Sequence, residues 1–195
     1  ESMGDTGFDF VCLESEHSAF SIAEIECLIR AADLAGLPAL VRIAELGPDI
    51  SRVLDAGAAG VIVPRIETVD EAREVVRRAR YAPEGERGSG PGRSPGYGAH
   101  RPTYLAEANA SLLVAIQIET AKGLESVEEI TAVPGIDAVC VGPFDLAMAI
   151  GEPMGSAAHT AAVRHINSVA RANGLAAITV APNPQVVQDA RKSGD

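Results

Sequence analysis

Tryptophan is missing from this chain, and aromatic residues of all kinds make up only 4% of it. The core must come from Ala, Val, Ile and Leu within the 47% apolar share, as expected where short strands alternate with helices. Positive charge is scarce too: 16 Lys and Arg stand against 27 Asp and Glu, a formal net charge of -11. That excludes a nucleic-acid surface, which needs a basic stripe to replace counterions. An anionic substrate stays open, because a metal ion and one or two arginines reverse the field locally. The 3 cysteines, Cys12, Cys27 and Cys140, form no CxxC pair. Cys12 and Cys140 sit in apolar runs and are expected to be buried free thiols in a reduced, cytoplasmic setting. No apolar run is long enough to span a bilayer, and no signal peptide is evident. A glycine-rich nucleotide turn is also absent. Gly88-Ser89-Gly90-Pro91-Gly92 follows a helix and a loop, and Arg93 stands where the last glycine of GxGxxG is required.

What is present is one repeated pattern, a short apolar run followed by an amphipathic stretch. Strands are expected at Phe8 to Leu13, Pro38 to Ile43, Gly60 to Val63, Leu112 to Ile118, Ile136 to Val141 and Leu175 to Val180. Ser21 with Glu24 three residues later is a capping box, opening a helix that ends before Gly36. Further helices are expected from Pro48 to Ala56, from a cap at Thr68 or Asp70 to Arg80, and near Thr103 to Asn109. Lys122 to Thr131, Ala157 to Asn173 and Pro184 to Lys192 complete the set. Residues 81–101 are dense in Gly and Pro, without apolar periodicity. A loop of that length inside a compact domain is usually functional, and it is read as an active-site loop.

Strict β/α alternation implies parallel strands with right-handed crossovers. Without the nucleotide turn, a closed barrel is favoured over an open doubly wound sheet. Polar residues at strand ends point the same way: Glu14, Glu16 and His17, then Arg42, then Gln117 and Glu119, then Asp145. In a barrel such ends converge on the catalytic mouth. Six strands do not close a barrel of eight. The expectation is a single (β/α)8 TIM-barrel domain over 1–195 lacking its first and last β/α units.

Gln117 and Glu119 share one side of their strand by its period of two. Glu119 and Asp145, on successive strand ends, suit a hard divalent cation that keeps waters and takes its other oxygens from substrate. On spacing alone they fit helix N-caps or surface carboxylates as well. His17 beside Glu14 and Glu16 suits general acid–base work, or is plain surface. Arg42 suits an oxyanion, or a salt bridge to a loop carboxylate. His100, His159 and His165 read as structural or solvated.

Several motifs, taken in order, bear a likeness to one family. They are Gly7-Phe8-Asp9-Phe10 leading to Glu16-His17; Val41-Arg42; Tyr81-Ala82-Pro83-Glu84-Gly85-Glu86-Arg87-Gly88; Gln117-Ile118-Glu119-Thr120; Pro134-Gly135-Ile136-Asp137; and Gly142-Pro143-Phe144-Asp145-Leu146. Over essentially the whole chain they resemble the class II, pyruvate-dependent 2-oxo acid aldolases, such as 4-hydroxy-2-oxoheptanedioate and 2-dehydro-3-deoxyglucarate aldolase. The resemblance implies a barrel of the phosphoenolpyruvate/pyruvate superfamily. It implies a lyase acting on 4-hydroxy-2-oxo acids through a metal-bound pyruvate enolate. Glu119 and Asp145 would hold Mg2+, Mn2+ or Co2+. Gln117, Gly142, Pro143, Phe144, Asp145, Ile178 and Thr179 would bind the oxo acid. Arg42, His17 and Glu14 would be catalytic, with Arg42 stabilising the enolate and His17 moving the proton of the aldol hydroxyl. Glu14 departs from the usual aspartate three residues before the histidine. The partners implied are a 2-oxo acid, an aldehyde and further copies of the chain, as a trimer or hexamer. Relatives on this barrel include macrophomate synthase, a siderophore-pathway citrate synthase and acyl-CoA lyases. Condensation of other electrophiles, or oxo-acid binding without catalysis, are the alternatives the resemblance allows.

Overall fold

The computed structural model describes residues 1–180. A 3-10 turn over Ser2–Thr6 leads into β1 (Val11–Glu14), followed by α1 (Ile22–Leu34), β2 (Ala39–Arg42), α2 (Asp49–Asp55), β3 (Gly60–Val63) and α3 (Val69–Ala79). Next come α4 (Arg101–Ser111), β4 (Leu113–Ile118), α5 (Ala121–Glu125), α6 (Val127–Thr131), β5 (Ala138–Val141), α7 (Pro143–Ala149), α8 (Ala157–Ala172) and β6 (Ala176–Ile178). The strands follow chain order in one six-stranded sheet, and the registers of β1 with β2, β2 with β3, β4 with β5 and β5 with β6 are all parallel. The α/β class and the strand count are as expected. The helix expected from Pro184 to Lys192 lies outside the described residues.

Local chemistry fixes the boundaries. Ser21 Oγ accepts the Glu24 N–H at 3.3 Å, and Glu24 Oε2 accepts the Ser21 N–H at 2.7 Å. These two bonds satisfy donors that a helix start leaves orphaned. Gly36, at φ 71, takes the left-handed turn that stops α1. Of the two caps considered for α3, Thr68 is the one used, with its Oγ1 accepting the Glu71 N–H at 3.2 Å.

Four expectations need correction. Phe8 to Phe10 precede β1 rather than belonging to it, and both phenylalanines are exposed. The stretch from Lys122 to Thr131 is broken at Ser126 into α5 and α6. A seven-residue helix, α7, starts directly after Gly142, where Pro143 supplies a pre-set φ. Cys12 is exposed and Cys140 is buried; among the described residues β1 pairs with β2.

The chain divides into two compact units. The first comprises Glu1–Pro64 and Arg73–Val114. Its core is Ile25 and Ile29 of α1, Val41 of β2, Ile50, Val53 and Leu54 of α2, and Val61 and Val63 of β3, all essentially fully buried. The second comprises Arg65–Ala72 and Ala115–Asp195. Within it Ile116 and Ile118 of β4, Val139 of β5, Val127 and Ile130 of α6, Leu146 of α7 and Ile166 of α8 are equally buried. Every residue of β3 and β5 is buried, as in a parallel sheet covered on both faces.

The Gly/Pro-rich segment belongs to the first unit and is firmly tied. Arg87 Nη2 donates to Asp55 Oδ1 at 2.6 Å, and Arg93 Nη2 donates to Asp33 Oδ2 at 2.5 Å. Tyr81 N–H donates to Asn109 Oδ1 at 2.8 Å. Asp33 and Asp55 lie at the last turns of α1 and α2, where the chain is about to enter the next strand. In this unit the anchored part of the segment therefore sits at the end of the strands away from Glu14 and Arg42.

Candidate active site

The first unit gathers four expected residues where β1 and β2 end. Glu14 and Arg42 are register partners across the two strands. Arg42 Nε donates to Glu14 Oε2 at 2.6 Å, and Arg42 Nη2 lies 2.5 Å from the same oxygen. Glu14 Oε1 accepts the N–H groups of Glu16 at 2.7 Å and His17 at 2.9 Å. Ser18 Oγ closes the turn by donating to the Glu14 carbonyl at 2.6 Å. Burial pushes the Glu14 carboxyl up. The His17 amide, the Arg42 guanidinium and the Glu16 amide together outweigh this and hold it below the ordinary value.

Glu14 thus works on backbone and on Arg42, not on the imidazole. The carboxylate beside the ring is Glu16, whose Oε2 lies 3.8 Å from His17 Nε2 and 3.3 Å from Arg42 Nη1. Glu16 is a residue that sequence reasoning placed in the cluster but gave no role. Its signal was the alternation Glu14-Ser15-Glu16, which sends both carboxylates to one side if the strand continues.

The second unit holds the other cluster. Glu119 follows β4 and is 2% exposed, with Gln117 1% exposed two residues before it. Glu119 Oε1 accepts the Arg65 N–H at 3.0 Å, and its Oε2 meets the Gln117 side-chain amide. That contact confirms that the two residues face one side. Arg65 has φ 56, a left-handed conformation uncommon outside glycine, and it aims the amide at the carboxylate. No sequence signal marked Arg65. A Cβ on Gly142 would stand 2.1 Å from Glu119 Oε2 and 2.8 Å from Gln117 Nε2, so glycine is what admits the carboxylate here. Gly142 is the N-cap of α7, and Asp145 lies in that helix's first turn, half-buried.

The helix-cap alternative for Glu119 does not hold. Thr120 caps α5, its Oγ1 accepting the Gly123 N–H at 3.0 Å. Phe144 is exposed, while Thr179 and Pro143 border an apolar cavity of about 220 Å3 with Val141, Met154, His159, Thr160 and Val163. Ile178 is the last residue of β6. His159 is structural, as expected. It is 5% exposed, its Nδ1 accepts the Gly155 N–H at 3.1 Å, and its Nε2 meets the Pro143 carbonyl at 2.8 Å.

A cation would meet a fitting donor set at Glu119. Among the described residues the buried Glu119 carboxylate takes its hydrogen bonds from the Arg65 N–H and the Gln117 side-chain amide, and a buried carboxylate is costly unless it is paired or binds a cation. Among the described residues no group of three or more His, Cys, Asp or Glu could hold a metal. Two carboxylates with the remaining positions left to water and substrate is the pattern of a hard cation such as Mg2+.

Over its whole length, residues 1–195, the sequence matches the model of the HpcH/HpaI aldolase/citrate lyase family. The chain belongs to that family. The hydroxypyruvate/pyruvate aldolase of Paraburkholderia phytofirmans is 39% identical over 188 residues, covering 91% of this chain and 72% of the relative. The 5-keto-4-deoxy-D-glucarate aldolase of Klebsiella pneumoniae is 34% identical over 196 residues, covering 98% of this chain and 75% of the relative. A solved family member from Burkholderia cenocepacia J2315 superposes with a TM-score of 0.92 at 32% identity, covering 99% of this chain and 79% of that one. This family member is a carbon–carbon lyase of the aldolase type. No helix among the described residues is long and apolar enough to cross a membrane.

Proposed function

We propose that the chain cleaves and forms 4-hydroxy-2-oxo acids by way of a pyruvate-type enolate, with a divalent cation, Mg2+ or Mn2+ and alternatively Co2+, on Glu119 and Asp145. The observation that carries this reading is the Glu119 carboxylate, buried over Gly142 and held by the Arg65 and Gln117 amides. When bound, the cation supplies Lewis acidity to the keto group of the oxo acid. Gln117 and the Gly142-Pro143-Phe144-Asp145 turn receive the oxo acid, with Ile178 and Thr179 bordering it. Arg42 stabilises the oxyanion as it develops. His17 accepts the proton of the C4 hydroxyl. The O–H pair then becomes the second bond of the aldehyde carbonyl, the C3–C4 bond breaks, and its pair passes into the enolate. The proton held by His17 is returned to C3 to give pyruvate.

The finer fold, a (β/α)8 barrel of the phosphoenolpyruvate/pyruvate superfamily, and a cytoplasmic trimer or hexamer belong to the same reading and rest on family resemblance. The test is a panel of 4-hydroxy-2-oxo acids assayed for pyruvate and aldehyde with Mg2+ present. The reading expects the two products in equal amounts. Turnover of oxaloacetate with no aldehyde requirement, and no pyruvate from any 4-hydroxy-2-oxo acid, would instead show a condensing enzyme.

A further inference from the structure

We infer that Glu16 is the positioning residue for both His17 and Arg42, fixing the imidazole by its Nε2 so that Nδ1 exchanges the substrate proton. The inference rests on the aldolase reading above and assigns the carboxylate expected at Glu14 to a different residue.

Three observations carry it. The Glu16 side chain is 10% exposed although the neighbouring His17 side chain is 63% exposed. Its Oε2 shows less than 1 Å2 to solvent and lies 3.8 Å from His17 Nε2 and 3.3 Å from Arg42 Nη1. Glu14 cannot do the same work, because its Oε1 is taken by two backbone N–H groups and its Oε2 by Arg42.

The Glu16 carboxylate favours the His17 orientation with Nε2 toward it and supports the ring while it carries the C4 hydroxyl proton. Glu14 keeps Arg42 in place and shapes the turn from Ser15 to Ser18, while Glu16 orients what the turn presents. A strand register that puts Arg42 beside Glu14 leaves only the arginine's Nη1 edge for Glu16. The two ion pairs use different edges of one planar group, which fixes the plane of Arg42 as well.

The test compares Glu16→Gln, Glu16→Asp and Glu14→Gln in pyruvate-releasing cleavage with saturating Mg2+, alongside thermal melting. Glu16→Gln is expected to lose about a hundredfold in kcat, with KM for the oxo acid changed by less than about threefold. Its Tm should stay within about 2 °C, since glutamine keeps the shape of the buried side chain. Glu16→Asp, which restores the charge, should recover at least about tenfold of the lost kcat. Glu14→Gln keeps oxygen acceptors for the two amides and should lose less than about tenfold in kcat.

A Glu16→Gln enzyme with kcat within about threefold of wild type overturns the inference. So does a loss that Glu16→Asp leaves equally deep, or a larger kcat loss in Glu14→Gln. If Glu16→Gln fails to fold, the kcat of Glu16→Asp relative to Glu14→Gln decides the ranking. A wild-type enzyme that cleaves no 4-hydroxy-2-oxo acid would sink the aldolase reading itself, and is recognised before any variant is made.

Discussion

Glu14 and Glu119 are both glutamates at the C-terminal end of a parallel strand, and their surroundings differ in kind. The Glu14 side chain is 40% exposed and meets a guanidinium at 2.5 Å. Glu119 is 2% exposed, and its partners are a backbone N–H and a side-chain amide, neither charged. The first carboxylate is paired with a guanidinium and, on the reading proposed, acts as a brace. The second is held, among the described residues, by neutral donors, an arrangement that suits a cation. Residue type and strand position are therefore poor guides to role. Partner chemistry separates the two.

That contrast breaks most visibly at Glu119. Glu119→Gln keeps the shape and removes the charge, and is expected to lose about a thousandfold or more of cleavage activity together with Mn2+ binding by titration calorimetry. Activity near wild type would mean that Glu119 is a brace like Glu14. Next in size is Gly142→Ala. Its methyl would stand 2.1 Å from Glu119 Oε2, so the carboxylate must turn away. Mn2+ affinity should weaken by roughly 10–100-fold, which the same calorimetry reads. Arg42→Lys should follow. A lysine cannot engage Glu14 and Glu16 along two edges, and kcat should fall by about tenfold or more while Mn2+ affinity stays as in wild type.

The smallest effect sharpens the comparison from the Glu14 side. Its carboxyl is held below the ordinary 4.5. A depressed carboxylate stabilises the fold fully above its unfolded value, and that contribution is lost as pH falls through the lower folded value. The Tm gap between wild type and Glu14→Gln should hold steady near neutral pH and narrow below about pH 4.5. With the side chain 40% exposed, solvent screening keeps that gap to about 2 °C. A gap that widened on acidification would contradict the sign of this account.

What could be read in the sequence depended on whether the deciding interaction is local. Ser21 with Glu24, Thr68 as one of the two caps named for α3, and the apolar runs of β3 and β5 are signals contained within a few residues, and the structure bears them out. The pairing of Gln117 with Glu119 was legible for the same reason, since period two alone sets it. The break at Ser126 and the start of α7 at Pro143 were not, because short helices carry little periodicity. The exposed Cys12 was missed because an apolar run does not show what will cover each of its residues. Arg65 was invisible for a deeper reason. Its left-handed backbone is selected by a carboxylate 54 positions along the chain, and nothing in its neighbours encodes that. The division of labour between Glu14 and Glu16 was equally hidden, because it depends on which oxygen Arg42 claims 28 residues away from Glu14.

The central claim is that Glu119, with Asp145, makes carbon–carbon cleavage depend on a divalent cation. Pyruvate release from a 4-hydroxy-2-oxo acid, followed before chelation, after exhaustive chelation and after adding back Mg2+ or Mn2+, tests it directly. The account predicts that cleavage disappears on chelation and returns with the cation, and that Glu119→Gln does not recover at any concentration added. Cleavage that survives complete removal of the metal would contradict it.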